Sequence, residues 1–468
     1  MDQARLETVL QARMPGFERL QACVRLSAGA SRETYRLTAQ VNGAEQLLAL
    51  RRSVAEASAM GEGPGLTAES LLFSTARDGG VPGPEVFMVL RPEDELGAGF
   101  VMEWIAGETL GGRIARGAEF AGTRTTLAHQ CGEILARLHA VDVAATGLDQ
   151  VLEHFTPHHA VMKTYAAYLE MHTAQPVIDF TAKWLLANLP LQRQLGLVHS
   201  DFRNGNLIVR PDEGVVAVLD WELSHIGDPM RDLGWLCTRS WRFGAADKPV
   251  GGFGEYEDLF AGYESVSSER VDRAVVRFWE VFGSFWWAVG CLSMGQSWRD
   301  GSEPSVERPA IGRRTSECQI DCLNMLIPGP AHRPQEESHT LSAADLPRSD
   351  EMLASVRNFL RGEVAGAVDG RNAFLAKVAA NSLDTVLREL TLGRSAVTRE
   401  ASQIAALLGK QGDPADLRLA LCSAIRFGDI DPDAPALHAC LRDGALAQVL
   451  IDQPGYAGAI EALGRTVT

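Results

Sequence analysis

The chain has 468 residues, enough for two or three domains, each with its own core. A hydrophobic fraction of 46% with 22% charged residues is ordinary globular composition. The formal net charge of −16 argues against broad binding to nucleic-acid backbones or to anionic membrane surfaces.

The eight cysteines are scattered and form no C-x-x-C. Cys318 and Cys322 share a helix face, but no matching His or Cys set makes them a zinc site. The first residues, MDQARLETVLQARMPGF, carry acids and lack a long apolar run, so they do not read as a signal peptide. The most apolar stretch, Val281–Met294, is too short to span a bilayer. A soluble cytoplasmic protein is expected.

Residues 2–20 place Leu6, Val9, Leu10 and Met14 at helical spacing and predict an amphipathic lead-in helix. Val24–Leu37 reads as strand, small-residue loop, strand. The tip contains Ser27, Gly29 and Ser31, whose backbone N–H groups could approach phosphates. No GxxxxGK[ST] occurs, so a P-loop is excluded. Gln46–Arg52 is the next strand, and its alternation puts Arg51 and Arg52 on opposite faces. A helix through Leu66–Phe73 carries Glu69. The strands Glu85–Leu90 and Phe100–Ile105 follow, separated by the polar hairpin loop Arg91–Gly99. Together these elements make a small sheet-plus-helix lobe.

From Thr109 the pattern becomes helical. Thr126–His139 repeats Leu127, Cys131, Ile134, Leu135 and Leu138 along one face, and His139 at its end suits the negative pole of the helix dipole. One or two further helices, with a long segment Ile178–Leu189, lead to the chemistry-bearing stretch LVHSDFRNGNLIVRPDEGVVAVLDWELSHIGDPMRDL at Leu197–Leu233. Leu207–Val209 and Val215–Leu219 are β-rich runs around the turn Pro211–Gly214, a predicted hairpin. Antiparallel pairing sets the start of the first strand beside the end of the second, so Asp201, Asn206 and Asp220 should meet at one edge. An amide oxygen and a carboxylate are hard ligands suited to Mg²⁺, and a second carboxylate five residues before the Asn could orient an attacking hydroxyl. The spacing H-x-D-x-x-x-x-N, then D after a strand, is that division of labour in kinases.

These segments resemble the catalytic and metal-binding segments of the aminoglycoside phosphotransferase/choline kinase family, and most closely its acyl-CoA-linked, hydroxyacyl-CoA kinase-like branch. HSDFRNGN and LDWELSHIGDPMRDL carry the resemblance, which covers about residues 20–325. Ser200 stands where Gly is common. The resemblance implies Asp201 as base, Asn206 and Asp220 as magnesium ligands, ATP and Mg²⁺ as cofactors, and Arg203 neutralising charge on the moving phosphoryl group. It favours Arg51 over Arg52 in the slot of the kinase lysine, paired with Glu69, and places Glu103, Trp104 and Ile105 at an adenine-reading hinge. Asp232 matches a position that holds the catalytic loop, with first-turn dipole complementarity as the equal alternative, and His199 would support the same loop. Glu222 could add a metal or substrate contact. His225 could approach the site, with loop packing an equal alternative.

Residues 235–325 crowd Trp235, Trp241, Trp279, Trp286 and Trp287 near Arg239 and Arg242. Aromatics at this spacing are usually core. Aromatic walls with arginines would also suit an acyl-CoA. Gly251–Gly254 reads as a loop. Leu326–Pro347 is Pro-rich and polar. Beyond it, Met352–Leu360, Phe374–Leu390, Ser402–Leu408, Pro414–Ile425 and Ala436–Leu463 predict an all-α bundle, in which Asn381 makes a buried amide bond.

The expected fold is therefore α+β: a bilobal protein-kinase-like fold with a mostly antiparallel N-lobe, a helical C-lobe and an additional C-terminal all-α bundle. The expected domains are 1–105, the nucleotide-binding lobe; 106–326, the catalytic and substrate lobe; 327–347, a linker; and 348–468, a helical domain packed on the kinase lobe. The expected activity is transfer of the γ-phosphoryl group of ATP to a hydroxyl of a small metabolite, a hydroxyacyl-CoA or hydroxy acid. The alternatives are an aminoglycoside or amino-alcohol O-phosphotransferase and a nucleotide-binding pseudokinase scaffold. No HRD, DFG or APE triplet supports a protein kinase. No nucleic-acid or membrane partner is expected, and the oligomeric state is open.

Overall fold

A computed structural model describes residues 1–28, 33–53, 64–191, 194–336 and 346–464. In chain order the first elements are α1 (Gln3–Arg13), β1 (Phe17–Ala28), β2 (Glu33–Val41), β3 (Ala44–Ser53), α2 (Gly65–Asp78), β4 (Val86–Val89) and β5 (Ala98–Glu103). Next come α3 (Gly111–Arg116), α4 (Arg124–His139), α5 (Pro157–Glu170), α6 (Pro176–Ala187), β6 (Gly196–Val198), β7 (Leu207–Arg210), β8 (Gly214–Val218) and β9 (His225–Gly227). The rest is helical: α7 (Met230–Cys237), α8 (Tyr256–Val266), α9 (Arg273–Arg299), α10 (Glu307–Arg313), α11 (Thr315–Leu326), α12 (Ser349–Phe359), α13 (Ala365–Ala367), α14 (Gly370–Leu408), α15 (Pro414–Phe427), α16 (Pro435–Asp452) and α17 (Ala457–Ala462). Two compact units result, Met1–Pro157 with Pro190–Glu280, and His158–Leu189 with Val281–Thr468. Among the described residues no helix is long and apolar enough to cross a membrane.

In the first unit five antiparallel strands form a sheet in the order β1-β2-β3-β5-β4. Leu6, Val9, Leu10 and Met14 are buried against Leu37, Leu48, Leu50, Met88 and Val101, so α1 is held by the stripe its sequence advertises. That helix is shorter than the predicted 2–20. It stops at Arg13, Pro15 and Gly16 follow, and Gly16 takes φ 75. β1 accordingly begins at Phe17, seven residues before the predicted strand. Three register shifts against β2 hide its alternation in the sequence. Among the described residues the remainder of this unit is helices and loops apart from two small antiparallel ribbons, β6 with β9 and β7 with β8.

The described residues of the second unit form helices and loops and no strand. The separately predicted segments Phe374–Leu390 and Ser402–Leu408 are one 39-residue helix, α14. The run joining them contains no proline and a single glycine, Gly393, so nothing breaks the hydrogen-bond ladder. Asn381 is exposed and bonds Arg361 at 2.9 Å, which corrects the expectation of a buried amide. Helices α14 to α16 pack with α6 and α11. The Pro-rich stretch is partly pinned. Ala331 N–H donates to Ala462 O at 2.8 Å, and His332 N–H to Asp443 at 2.8 Å.

Candidate active site

The predicted hairpin forms as β7–β8, with Leu207 opposite Val218, Ile208 opposite Ala217 and a register shift between Ile208 and Val209. One more bond closes its open end. Leu219 N–H donates to Asn206 O at 2.8 Å and fixes Asp220 beside Asn206. The β6–β9 ribbon aligns Val198 with His225 and so carries the loop that starts at His199. Two non-glycine residues of this region have left-handed backbones, Ser200 at φ 65 and Asp220 at φ 64. Such residues cost about 1–3 kcal/mol each and persist where their surroundings over-determine them.

Asp232 on α7 supplies that determination for the loop. Its carboxylate accepts His199 N–H at 2.8 Å and Ser200 N–H at 2.7 Å, and His139 Nε2 lies 3.1 Å away. His139 in turn meets the Tyr263 hydroxyl at 3.0 Å. His139 ends α4, in the last turn where it suits the dipole as expected, and its side chain also joins this cluster. Burial works to raise the Asp232 carboxyl, but the bonds from His139 and His199 hold it below the ordinary carboxylate value. His199 is fully buried, with Nε2 3.0 Å from Leu219 O, and burial pushes its imidazole below the ordinary value.

A pH dependence follows. Above about pH 6.5 the His199 imidazole is neutral in both the folded and unfolded chain. Below it the unfolded chain binds a proton that the folded chain resists, so stability falls as pH falls. Urea midpoints measured from pH 7.5 down to 5.5 should decline, and less steeply in His199→Asn, which keeps a donor for Leu219 O. An equal slope in the variant would contradict the assignment to His199.

The Asp201 carboxylate is held on both oxygens. Oδ1 accepts from Arg203 Nε at 2.8 Å and from Trp235 Nε1 at 3.0 Å; Oδ2 accepts from Asn206 Nδ2 at 2.6 Å. Asn206 Nδ2 also reaches Asp201 O at 2.9 Å, so the Asn206 carbonyl oxygen is what that side chain has left to offer a cation. Arg203 lies over the Trp241 ring at 4.7 Å. Arg51 on β3 joins the same cluster, with Nη2 2.7 Å from Asp220 Oδ1 and 3.5 Å from Glu222, and Nε 3.2 Å from the buried Glu69 on α2. Burial opposes the Arg51 charge, but Glu69, Asp220 and Glu222 more than offset it and raise its pKa. Arg52, on the other face of the strand, turns to Glu33 at 2.9 Å and Leu96 O at 2.8 Å.

The remaining predicted residues divide. At the expected hinge, Glu103 N–H donates to Glu85 O at 2.8 Å and Trp104 N–H to Leu47 O at 3.3 Å; Ile105 follows them out of the sheet. Ser27 pairs with Thr34 near the end of β1, whereas Gly29 and Ser31 lie outside the described residues. His225 takes the loop-packing position that the sequence left as the equal alternative. It is buried against Phe155 at 4.6 Å, with Nδ1 3.1 Å from Ser200 Oγ and 3.0 Å from Leu223 O. Arg242 is tied into the fold. It bonds the buried Glu280 at 3.0 Å and Cys237 O at 3.1 Å, because a buried carboxylate demands a partner. Arg239 opens the one-turn helix that carries Trp241. Trp235, read from the sequence only as one of a crowd of tryptophans, is the residue that sequence reasoning missed. Its spacing of three from Asp232 on one helix was the available signal.

A five-stranded lobe facing a loop that gathers a tethered aspartate, an asparagine, a second aspartate and an Arg–Glu pair is the arrangement of a kinase-like phosphotransferase. The chain belongs to the phosphotransferase enzyme family, whose profile matches residues 22–268. Residues 366–456 match a domain of unknown function, DUF6285. Acyl-CoA dehydrogenase family member 10 of Mus musculus is 32% identical over 173 residues, 36% of this chain and 16% of that protein. Acyl-CoA dehydrogenase family member 11 of Rattus norvegicus is 32% identical over 177 residues, 36% of this chain and 22% of that protein. The similarity thus spans about a fifth of these relatives. A crystal structure of a candidate aminoglycoside phosphotransferase from Ralstonia eutropha shares the fold, with TM-score 0.58 and 23% identity over 69% of this chain and 98% of that one.

Proposed function

We propose that the chain is an ATP- and Mg²⁺-dependent small-molecule kinase that phosphorylates a hydroxyl of a hydroxyacyl-CoA or hydroxy acid. The observation that carries this reading is the Asp201 carboxylate, fixed by three donors and set beside Asn206, Asp220 and Arg51. Asp201 orients the acceptor hydroxyl and takes its proton as the new oxygen–phosphorus bond forms and the bond to the departing ADP breaks. Arg51 and Arg203 neutralise phosphate charge, and Glu69 keeps Arg51 in place. The donor set suits a hard cation. The Asn206 amide oxygen and the Asp220 carboxylate, whose side chain is a third exposed, would hold Mg²⁺, with Glu222 adjacent. When bound, the ion would offset negative charge on the triphosphate. Ile105 offers the hinge N–H for adenine.

The CoA-linked acceptor is supported by the names of the relatives, acyl-CoA dehydrogenase family members 10 and 11, and by the Arg203–Trp241 shelf beside Asp201. A reducing, cytosolic setting is supported by eight free thiols. The test is ADP release from ATP and Mg²⁺ with panels of hydroxyacyl-CoAs, hydroxy acids, amino alcohols and aminoglycosides. Turnover above background with a CoA-linked or free hydroxy acid is expected. Preference for an aminoglycoside would overturn the acceptor class, and nucleotide binding without turnover on any panel would overturn the kinase.

A further inference from the structure

Helix α7 touches the catalytic loop twice. Asp232 takes the backbone N–H groups of His199 and Ser200. One helical turn on, and on the same face, Trp235 takes the side chain of Asp201 through its indole N–H at 3.0 Å. The indole is buried, 1% exposed. Gly234 lets it sit there. A Cβ at that position would come within 2.5 Å of Trp279 Cβ and 2.6 Å of Val276 O, so only glycine allows α7 to press this closely on the start of α9.

The two donors on Oδ1 have a consequence for the other oxygen. Each carboxylate oxygen offers two lone pairs. Those of Oδ1 are taken by Trp235 Nε1 and Arg203 Nε, whereas Oδ2 receives a single bond from Asn206. An indole N–H can only donate, so it fixes its partner as an acceptor and cannot compete for the acceptor's proton. Arg203 is itself laid on the Trp241 ring, and Trp241 lies 5.9 Å from Trp235, so both donors to Oδ1 are braced by aromatic packing.

We infer that Trp235 is the positioning residue of the phosphotransfer site: its indole N–H, with Arg203, pins Asp201 Oδ1 and leaves the free lone pair of Oδ2 as the one that meets the acceptor hydroxyl. The inference rests on the kinase reading. It assigns to α7 the alignment of the base in side chain as well as backbone, from a buried residue that acts through its bond to Asp201. Geometry at this level governs rate because a reacting group displaced by about 1 Å can cost about 100-fold.

The test replaces the N–H and keeps the ring. β-(3-Benzothienyl)alanine at 235 is a near-isostere of tryptophan with sulfur in place of N–H, and Trp235→Phe is the simple companion. Turnover by the isostere is expected to fall roughly 10- to 100-fold, with the KM for ATP unchanged and the melting temperature lowered by no more than a few degrees. In an Asp201→Asn background the same replacement should cause no further loss. A readout independent of turnover is the ¹⁵N resonance of the Trp235 indole, identified by its disappearance in Trp235→Phe, which should move in Asp201→Asn. Turnover within twofold of wild type for the folded isostere overturns the inference while the kinase reading stands. Absence of wild-type turnover on every acceptor, with the indole resonance still responding to Asp201→Asn, overturns the kinase reading and the positioning role with it, leaving only the hydrogen bond.

Discussion

Asp201→Asn should lower kcat by roughly 10³-fold while ATP affinity stays within about twofold. The substitution keeps size and removes both the charge and the ability to take a proton. Its local environment makes it more disruptive than an isostere usually is. Donors face both oxygens of Asp201, Arg203 and Trp235 on one side and Asn206 on the other, so either orientation of the new amide points an NH₂ group at a donor. The mismatch costs about 1–3 kcal/mol of local stability. Nucleotide affinity should survive because the groups proposed to face the phosphates and cation, Arg51, Asn206 and Asp220, keep their own anchors in Glu69 and in the Leu219–Asn206 bond. Rapid-quench turnover and equilibrium titration with ATP and Mg²⁺ separate the two effects. Turnover within a few-fold of wild type would remove Asp201 from the role of base.

Which parts of this site could be read beforehand has a physical explanation. Asp201, Asn206 and Asp220 lie within twenty residues and are joined by one hairpin, so local turn chemistry and strand alternation were enough to bring them together. The same alternation separates Arg51 from Arg52 by face. Strand parity does not say which face is the cleft; that follows from the sheet pairing and from Glu69 on α2. Trp235, His139 and Asp232 were harder. Trp235 and Asp201 are 34 residues apart, His139 and Asp232 93, and Asp232 and His199 33, and a buried indole or imidazole looks the same in sequence whether it fills space or carries a hydrogen bond. Arg242 is a related case. An arginine near tryptophans suggests a ligand wall, but its partner, Glu280, is 38 residues on and fully buried. Helix α14 was split because apolar spacing lapses over its middle, where the absence of breakers mattered more than periodicity.

Arg426→Ala should destabilise the second unit by about 3–5 kcal/mol. Asp179 on α6 has no exposed surface. It accepts from the Tyr165 hydroxyl at 2.6 Å and the Tyr168 hydroxyl at 3.0 Å, and from Arg426 Nε at 2.6 Å and Nη2 at 3.0 Å. The two phenols can solvate the carboxylate but cannot neutralise it, so removing the guanidinium leaves a buried charge with no counter-charge. Arg426 is on α15, 247 residues from Asp179, and its bidentate fork fits the carboxylate plane as a lysine head would not. Arg426→Lys should therefore recover only part of the loss. The double replacement Asp179→Leu with Arg426→Met should recover most of it, because eliminating both charges also eliminates the desolvation cost. Urea unfolding followed by far-UV circular dichroism measures all three. The same reasoning extends to truncation: a chain ending before residue 346 lacks α15 and leaves Asp179 facing only phenols, so α5 and α6 should lose protection from hydrogen exchange. If Arg426→Ala costs under 1 kcal/mol, or the truncated chain keeps α5 and α6 protected, then α15 is an appendage and not part of what holds these helices folded.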